Sequence, residues 1–159
     1  DSSTIMCLTT GDGVDMFVLD QAIGSFLRVR TNVRIPEQGT TYSINEANAE
    51  TFPEGYQAYL RFAHGAGYTS RYIGSMVSDV HRTLIRGGVF LYPPTAKNPD
   101  GKLRLLYEAN PMAMLMEQAG GVSYSGDVRT MEVRPERLHQ RVPVLLGSPA
   151  EVAKVREFM

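Results

Sequence analysis

Three times along this chain an apolar stripe at helical spacing runs into glycine. The first stripe, Tyr56, Tyr59, Leu60 and Ala63, opens behind Pro53 and ends at Gly65 and Gly67. The second, Met76, Val77, Val80 and Leu84, runs from about Ser75 to Arg86 and stops at Gly87-Gly88. The third, Met112–Ala119, stops at Gly120-Gly121. Apolar residues at i, i+3, i+4 and i+7 share one face of a helix. Glycine adopts the left-handed backbone that closes it. Short apolar runs follow the second and third stops, Val89–Leu91 and Val122–Tyr124, and both read as strands.

The remaining segments fill in this alternation. Thr4–Thr10, Val14–Asp20 and Phe26–Arg30 are separated by short turn clusters and predict an antiparallel meander. Arg34–Tyr42, with Pro36 and Gly39, reads as a loop. Leu103–Tyr107, Met131–Val133 and the continuous apolar run Val142–Leu146 are expected strands. Asn110-Pro111 predicts a capped helix start with proline at the first helical position. Ser148-Pro149-Ala150-Glu151 predicts a capping box opening the last helix. A meander followed by strand–helix alternation gives an α/β fold, a layered α/β/α arrangement on a mixed sheet. No repeat or linker divides it, so residues 1–159 are expected to form a single domain. The apolar run begins almost at Asp1, which predicts that further chain precedes it.

Charge and composition narrow the function. A formal net charge of -1 gives no electrostatic footprint for nucleic acid or an anionic membrane. No apolar run reaches the roughly 20 residues of a membrane-spanning helix, and no signal peptide opens the chain. The single cysteine, Cys7, has no internal partner, and in a strand it reads as an inert buried thiol. A cytoplasmic protein is expected. Of the 16 basic residues only Lys97, Lys102 and Lys154 are lysine, and two of these fall in one short loop. Arginine's planar fork suits phosphate and carboxylate, though arginine-favouring codon usage accounts for the bias equally well.

Polar groups gather where strands and helices end. Thr41–Glu46 is one such segment. Ser70–Met76 is another, just before a helix, where backbone N–H groups beside an arginine make an anion site or simply a capped helix with a surface arginine. The densest is Leu91-Tyr92-Pro93 through Lys97, Lys102 and Glu108. Ligands collect beyond strand ends in α/β sheets. Glu108 is there either a partner of the next helix's dipole or an oxygen ligand to a hard cation. His64, His81 and His139 are too scattered for a metal trio, and Met112, Met114 and Met116 read as core filler.

Taken in order, Tyr-Ser-Ile-Asn-Glu, Ser-Arg-Tyr-Ile-Gly-Ser-Met-Val, Gly-Gly-Val-Phe-Leu-Tyr-Pro, Asn-Pro-Asp-Gly-Lys-Leu-Arg-Leu-Leu-Tyr-Glu-Ala-Asn-Pro-Met-Ala, Glu-Gln-Ala-Gly-Gly and His-Gln-Arg-Val-Pro resemble class I fructose-1,6-bisphosphatases over nearly the whole chain. They resemble the sedoheptulose-bisphosphatases less, because the Arg-Tyr-Ile-Gly and His-Gln-Arg stretches differ there. The resemblance is to the second, C-terminal half of a layered α/β/α enzyme. It implies that Asn45, Tyr72, Tyr92 and Lys97 hold the 6-phosphate, and that Arg71 reaches this phosphate in a neighbouring subunit of a tetramer. It implies that Lys102 contacts the sugar and its phosphate, that the backbone of Gly74, Ser75 and Met76 meets the sugar hydroxyls, and that Glu108 is a magnesium ligand. The implied reaction is hydrolysis of fructose 1,6-bisphosphate to fructose 6-phosphate in gluconeogenesis. Two positions depart from the pattern: Asn48, where some members carry a phosphate-contacting tyrosine, and Ala47, where glycine is common.

The family's Asp-Pro-x-Asp-Gly metal motif does not occur here; the Asp-Gly pairs are Asp12-Gly13 and Asp100-Gly101. A metal site that activates water cannot rest on Glu108 alone, so the chain by itself is expected to be inactive as a phosphatase. A free-standing domain that senses sugar phosphates is the alternative reading.

Overall fold

The computed structural model describes residues 3–159. Asp1 and Ser2, where the abrupt start falls, lie outside the described residues. The meander is present as β1 (Ile5–Leu8), β2 (Asp15–Asp20) and β3 (Ser25–Arg30), an antiparallel three-stranded sheet. The second sheet has six strands in the order β5-β4-β6-β11-β8-β9. Its members are β4 (Thr41–Ser43), β5 (Thr69–Ser70), β6 (Val89–Tyr92), β8 (Val122–Ser125), β9 (Val128–Arg129) and β11 (Val144–Gly147). β4 pairs in parallel with β5 and β6, while β11 runs antiparallel to β6 and β8. The sheet is therefore mixed, as the alternation of elements predicts.

The two faces of this sheet are read directly from the period-2 alternation of its central strands. On β6, Phe90 faces one apolar cluster while Val89 and Leu91 face the other. On β11, Val144 and Leu146 join Phe90, and Leu145 joins Val89 and Leu91. The first cluster takes in Val80 and Leu84 of α2 (Met76–Arg86), Met116 of α3 (Asn110–Gln118), and Met16 of the meander with Val14 just before it. The second takes in Tyr56, Tyr59 and Leu60 of α1 (Glu54–Gly65) and Val152 and Val155 of α4 (Pro149–Arg156). Helices thus cover both faces. Each fully buried large apolar side chain contributes about 1.5–3 kcal/mol, so the two clusters dominate the folding energy.

The glycine stops do what their backbone allows. Gly87 and Gly88 have φ of 75° and 101°. A Cβ on Gly88 would stand 2.1 Å from the Thr41 carbonyl oxygen, so only glycine lets the chain enter β6 this close to β4.

Several local expectations are corrected. The strand expected over Leu103–Tyr107 is only β7 (Leu103–Arg104), paired with β10 (Arg141–Val142). Leu105–Ala109 forms a π-helical turn instead, closed by the Asn110 N–H donating to the Leu105 carbonyl. The turn buries Leu105 and Ala109 fully, which an extended strand leading into α3 would not do. Asn110 accordingly lies inside α3 and does not cap it. Met131–Val133 is not a strand: Thr130–Glu132 is a 3-10 turn, and Thr130 is buried with its hydroxyl 2.7 Å from Ser123 Oγ. The capping box at Ser148 and Glu151 does not form either. Ser148 Oγ accepts from the Gly88 N–H and donates to the Pro36 carbonyl, while Glu151 accepts from the Gly39 N–H and the Tyr68 hydroxyl. Both side chains tie the start of α4 to the segment holding Pro36 and Gly39. No helix among the described residues is long and apolar enough to cross a membrane.

Candidate functional site

From β4 the chain crosses by way of α1 to β5, and from β5 it returns by way of α2 to β6 on the other side of β4. The three parallel strands therefore end side by side, and the connections leave in different directions. Such a place opens a crevice beyond the strand ends. The residues that follow the strand ends are Asn45 after β4, Arg71 and Tyr72 after β5, and Tyr92 through Lys97 at β6.

Two adjoining cavities occupy this crevice. The larger, about 520 Å³, is lined by Asn45, Asn48, Tyr92, Lys97, Asn98 and Lys102 among others. The smaller, about 340 Å³, is lined by Tyr72, Gly74, Met76, Tyr92, Lys102 and Glu108, with Arg104 and Arg141. Tyr92 and Lys102 belong to both walls. Of the residues singled out from sequence, Arg71 lies apart, in a third cavity of about 820 Å³ with Arg82 and Arg86. Ser75 is the exposed residue before α2 and lines neither sugar-sized cavity.

Each group is held by its local structure. Asn45 leads into the 3-10 turn Glu46–Thr51, its Oδ1 accepting from the Ala47 N–H. Ala47 does not have a positive φ, so an alanine is unstrained there. Beside it, Glu46 accepts from the hydroxyls of Tyr42 and Ser70, each at 2.9 Å, and meets His64 Nε2 at 3.0 Å. Burial alone would raise the Glu46 carboxyl; the bonds from Ser70, Tyr42 and His64 outweigh it and hold the group below its ordinary range. This knot joins β4, β5 and α1 under Asn45.

Lys97 stands on a tight knuckle in which Thr95 and Asn98 exchange backbone bonds of 3.1 and 3.0 Å. Lys102 is fixed through its main chain, its carbonyl accepting from Arg141 Nη1 at 2.7 Å. Both lysine side chains are exposed, and neither forms an ion pair among the described residues. Glu108, on the π-helical turn, is oriented by the Arg104 N–H donating to its Oε2 at 2.7 Å, with the Arg104 guanidinium 3.6 Å away.

The loop before α2 is the most elaborately held. Gly74 has φ of 84°, the left-handed conformation, and lines the smaller cavity. Asp79, completely buried on α2, accepts from the N–H groups of Ile73 and Gly74 at 3.1–3.2 Å. Arg82 Nη2 donates to Asp79 Oδ1 at 2.8 Å and to the Arg71 carbonyl at 2.7 Å. Burial raises the Tyr72 phenol above its ordinary value, and the nearby Tyr92 and Asp79 add to this. Tyr72 is therefore a neutral donor at physiological pH. Sequence reasoning did not single out Asp79, Arg82 or Arg141, because they act on backbone and leave no spacing signature.

Chemically, the crevice offers neutral donors (Asn45, Tyr72, Tyr92), cations (Lys97, Lys102) and, at one end, a carboxylate. That is the donor set for a phosphate with a polyol beside it. Asn48, the departure noted from sequence, lines the same wall and offers an amide in place of a phenol.

Residues 35–159 match the family model described as fructose-1-6-bisphosphatase, C-terminal domain. The chain is 54% identical over 159 residues to the class 1 fructose-1,6-bisphosphatase of Persephonella marina, covering 99% of this chain and 50% of that protein. It is 50% identical over 157 residues to the class 1 enzyme of Nostoc punctiforme, covering 98% and 45%. The crystal structure of Leishmania major fructose-1,6-bisphosphatase in holo form superposes with a TM-score of 0.97 at 46% identity, covering 99% of this chain and 50% of that one. The chain thus spans about half the length of the relatives it matches. On family model, identity and superposition alike, it belongs to the fructose-1,6-bisphosphatase C-terminal domain family.

Proposed function

We propose that this chain is the substrate-holding half of a magnesium-dependent, cytoplasmic phosphatase of gluconeogenesis that converts fructose 1,6-bisphosphate to fructose 6-phosphate, with residues 1–159 acting as one unit. The observation that carries the reading is that two cavities of sugar-phosphate size share Tyr92 and Lys102. In it, Asn45, Tyr92 and Lys97 hold the 6-phosphate in the larger cavity. Tyr72 donates from the smaller cavity across the shared wall. Lys102 lies between phosphate and sugar, and the backbone of Gly74 and Met76 meets the hydroxyls, while Ser75, outside both cavities, joins them only through its peptide neighbours. Arg71, turned into a different cavity, serves the site of a neighbouring subunit in a tetramer. Binding energy from the phosphate that does not react positions the ester that does.

Glu108 marks the reacting end. Its carboxylate is a hard oxygen donor, oriented by the Arg104 N–H, and suits magnesium as one ligand. Among the described residues no group of three His, Cys, Asp or Glu side chains converges to hold a metal ion. Magnesium takes several oxygen ligands, so the remaining carboxylates are proposed to come from the half of its relatives that this chain does not span. When bound there, magnesium supplies charge neutralisation and an activated water.

Calorimetric titration tests the binding half of this proposal directly. Fructose 6-phosphate is expected to bind, and Lys97→Met and Tyr72→Phe are each expected to weaken it about tenfold, as loss of a hydrogen bond to a charged group does. Inositol phosphates or nucleotides binding more tightly than the fructose phosphate would overturn the substrate assignment.

A further inference from the structure

The substrate-holding reading places Tyr72 and the backbone of Gly74 against the ligand, yet both belong to a short loop with no regular structure, between β5 and α2. Something must hold that loop to within a fraction of an ångström if Tyr72 is to donate to a phosphate. Resting on that reading, we infer that Asp79 and Arg82 are positioning residues of the sugar-phosphate site. They act as one clamp that fixes Arg71 through Gly74 from behind.

The geometry of the clamp is specific. Asp79 is a fully buried carboxylate whose two oxygens accept the N–H groups of Ile73 and Gly74. A buried charge persists only when paired and bonded, and Arg82, one helical turn further on, supplies the countercharge at 2.8 Å. The same Arg82 nitrogen donates to the Arg71 carbonyl. The clamp therefore grips the loop at both ends, with Tyr72 between the gripped peptide units. It also serves two cavities at once. Tyr72 and Gly74 line the smaller sugar-sized cavity, whereas Arg71 and Arg82 line the 820 Å³ cavity on the other side. A shift of the loop moves Tyr72 and Arg71 together.

Neither clamp residue lines the cavities that share Tyr92 and Lys102, so neither is available to touch the ligand held there. Their effect must pass through Tyr72 and Gly74. A double-mutant cycle separates this from general destabilisation, since residues acting through one another are non-additive while independent losses multiply.

Calorimetric affinities for fructose 6-phosphate are measured on the full chain, on Arg82→Met, Tyr72→Phe, their double variant and Asp79→Asn. Amide exchange is followed at Ile73 and Gly74. Arg82→Met is expected to weaken binding about tenfold and to speed exchange at these amides. The double variant should bind no more than about twofold worse than the weaker single variant. Arg82 is partly exposed, so its variant keeps the test open should Asp79→Asn fail to fold. A folded Arg82→Met with unchanged affinity, or losses that multiply in the double variant, overturns the inference. Unchanged affinity in both Tyr72→Phe and Lys97→Met overturns the sugar-phosphate reading itself, which keeps the two failures distinct.

Discussion

Gly74 shows how far a single residue can matter to this crevice. Its φ of 84° lies in the left-handed region, and a side chain there costs an L-residue roughly 1–2 kcal/mol. Space is not the obstacle, because a Cβ at this position would meet only Tyr72 Cε1, at an ordinary 3.7 Å. The strain must be relieved by turning the backbone that Asp79 grips, and Tyr72 would be carried with it. Gly74→Ala is therefore expected to lower stability by about 1 kcal/mol in urea unfolding and to weaken fructose 6-phosphate binding more than that figure alone conveys. A variant of reduced stability but unchanged affinity would show that the loop relaxes without moving Tyr72. Lys97 and Lys102 are of the opposite kind: their side chains are exposed, so replacing them should cost affinity and little stability.

At the scale of elements, α1 carries a second consequence. Tyr56 and Tyr59 on its buried face pack into the cluster with Tyr42 and Leu145. Burial, with the charge of Asp127 adding to it, pushes the Tyr56 phenol from 10.0 up to about 12. Burial raises Tyr59 as well, helped by Tyr68, Glu151 and Tyr42. The folded state thus holds these protons more tightly than the unfolded state does. The associated stability is complete below pH 10 and falls as the pH rises towards 12, by roughly 1.4 kcal/mol per pH unit for the Tyr56 phenol, with Tyr59 acting in the same direction. Urea midpoints at pH 9 and 11 should show this fall, and Tyr56→Phe should lose visibly less over the same interval. Equal losses in the two proteins would remove Tyr56 from the account.

The elements built on long periodic stripes were legible in the sequence for a physical reason. The stripe of α1 states which face is buried, that of α2 does so except at Val77, which is exposed, and the continuous apolar runs of β6 and β11 state that both sheet faces are covered. What was not legible is what tertiary bonds decide. Leu105 reads as a strand residue until the need to bury it together with Ala109 beside α3 winds the chain into a π-helical turn. Ser148 and Glu151 have the right spacing for a capping box, yet the Gly88 N–H and the Pro36 carbonyl engage the Ser148 hydroxyl, and the Gly39 N–H and the Tyr68 hydroxyl engage the Glu151 carboxylate. Tyr92 and Lys97 stand where polar residues gather at a strand end, whereas Glu108, expected at a strand end, stands on the π-helical turn. Asp79 could not be picked out, since a buried helical aspartate that serves backbone N–H groups looks in sequence like any acidic first-turn residue.

At the scale of the whole molecule, one carboxylate has to be reconciled with the metal-dependent reaction proposed above. Glu108 is oriented but solitary, and no other acidic side chains converge on it to complete a metal site among the described residues. The chain spans about half the length of relatives named as fructose-1,6-bisphosphatases. If the sugar and its distal phosphate are held here and the other metal ligands are supplied by the half of its relatives that this chain does not span, binding and turnover should separate cleanly. This chain alone should bind fructose 6-phosphate yet release no phosphate from fructose 1,6-bisphosphate at millimolar magnesium. Joined to the half of a relative that this chain does not span, it should release phosphate, and removing magnesium with a chelator should stop it. Glu108→Gln in the joined protein should lower turnover by about 100-fold, as loss of one metal-directed charge does. The same substitution in this chain alone should change fructose 6-phosphate affinity less than about twofold, because the lost charge faces the metal and not the distal phosphate. Magnesium-dependent release by the unjoined chain, or full turnover after Glu108→Gln, would mean that the reacting end lies somewhere other than Glu108.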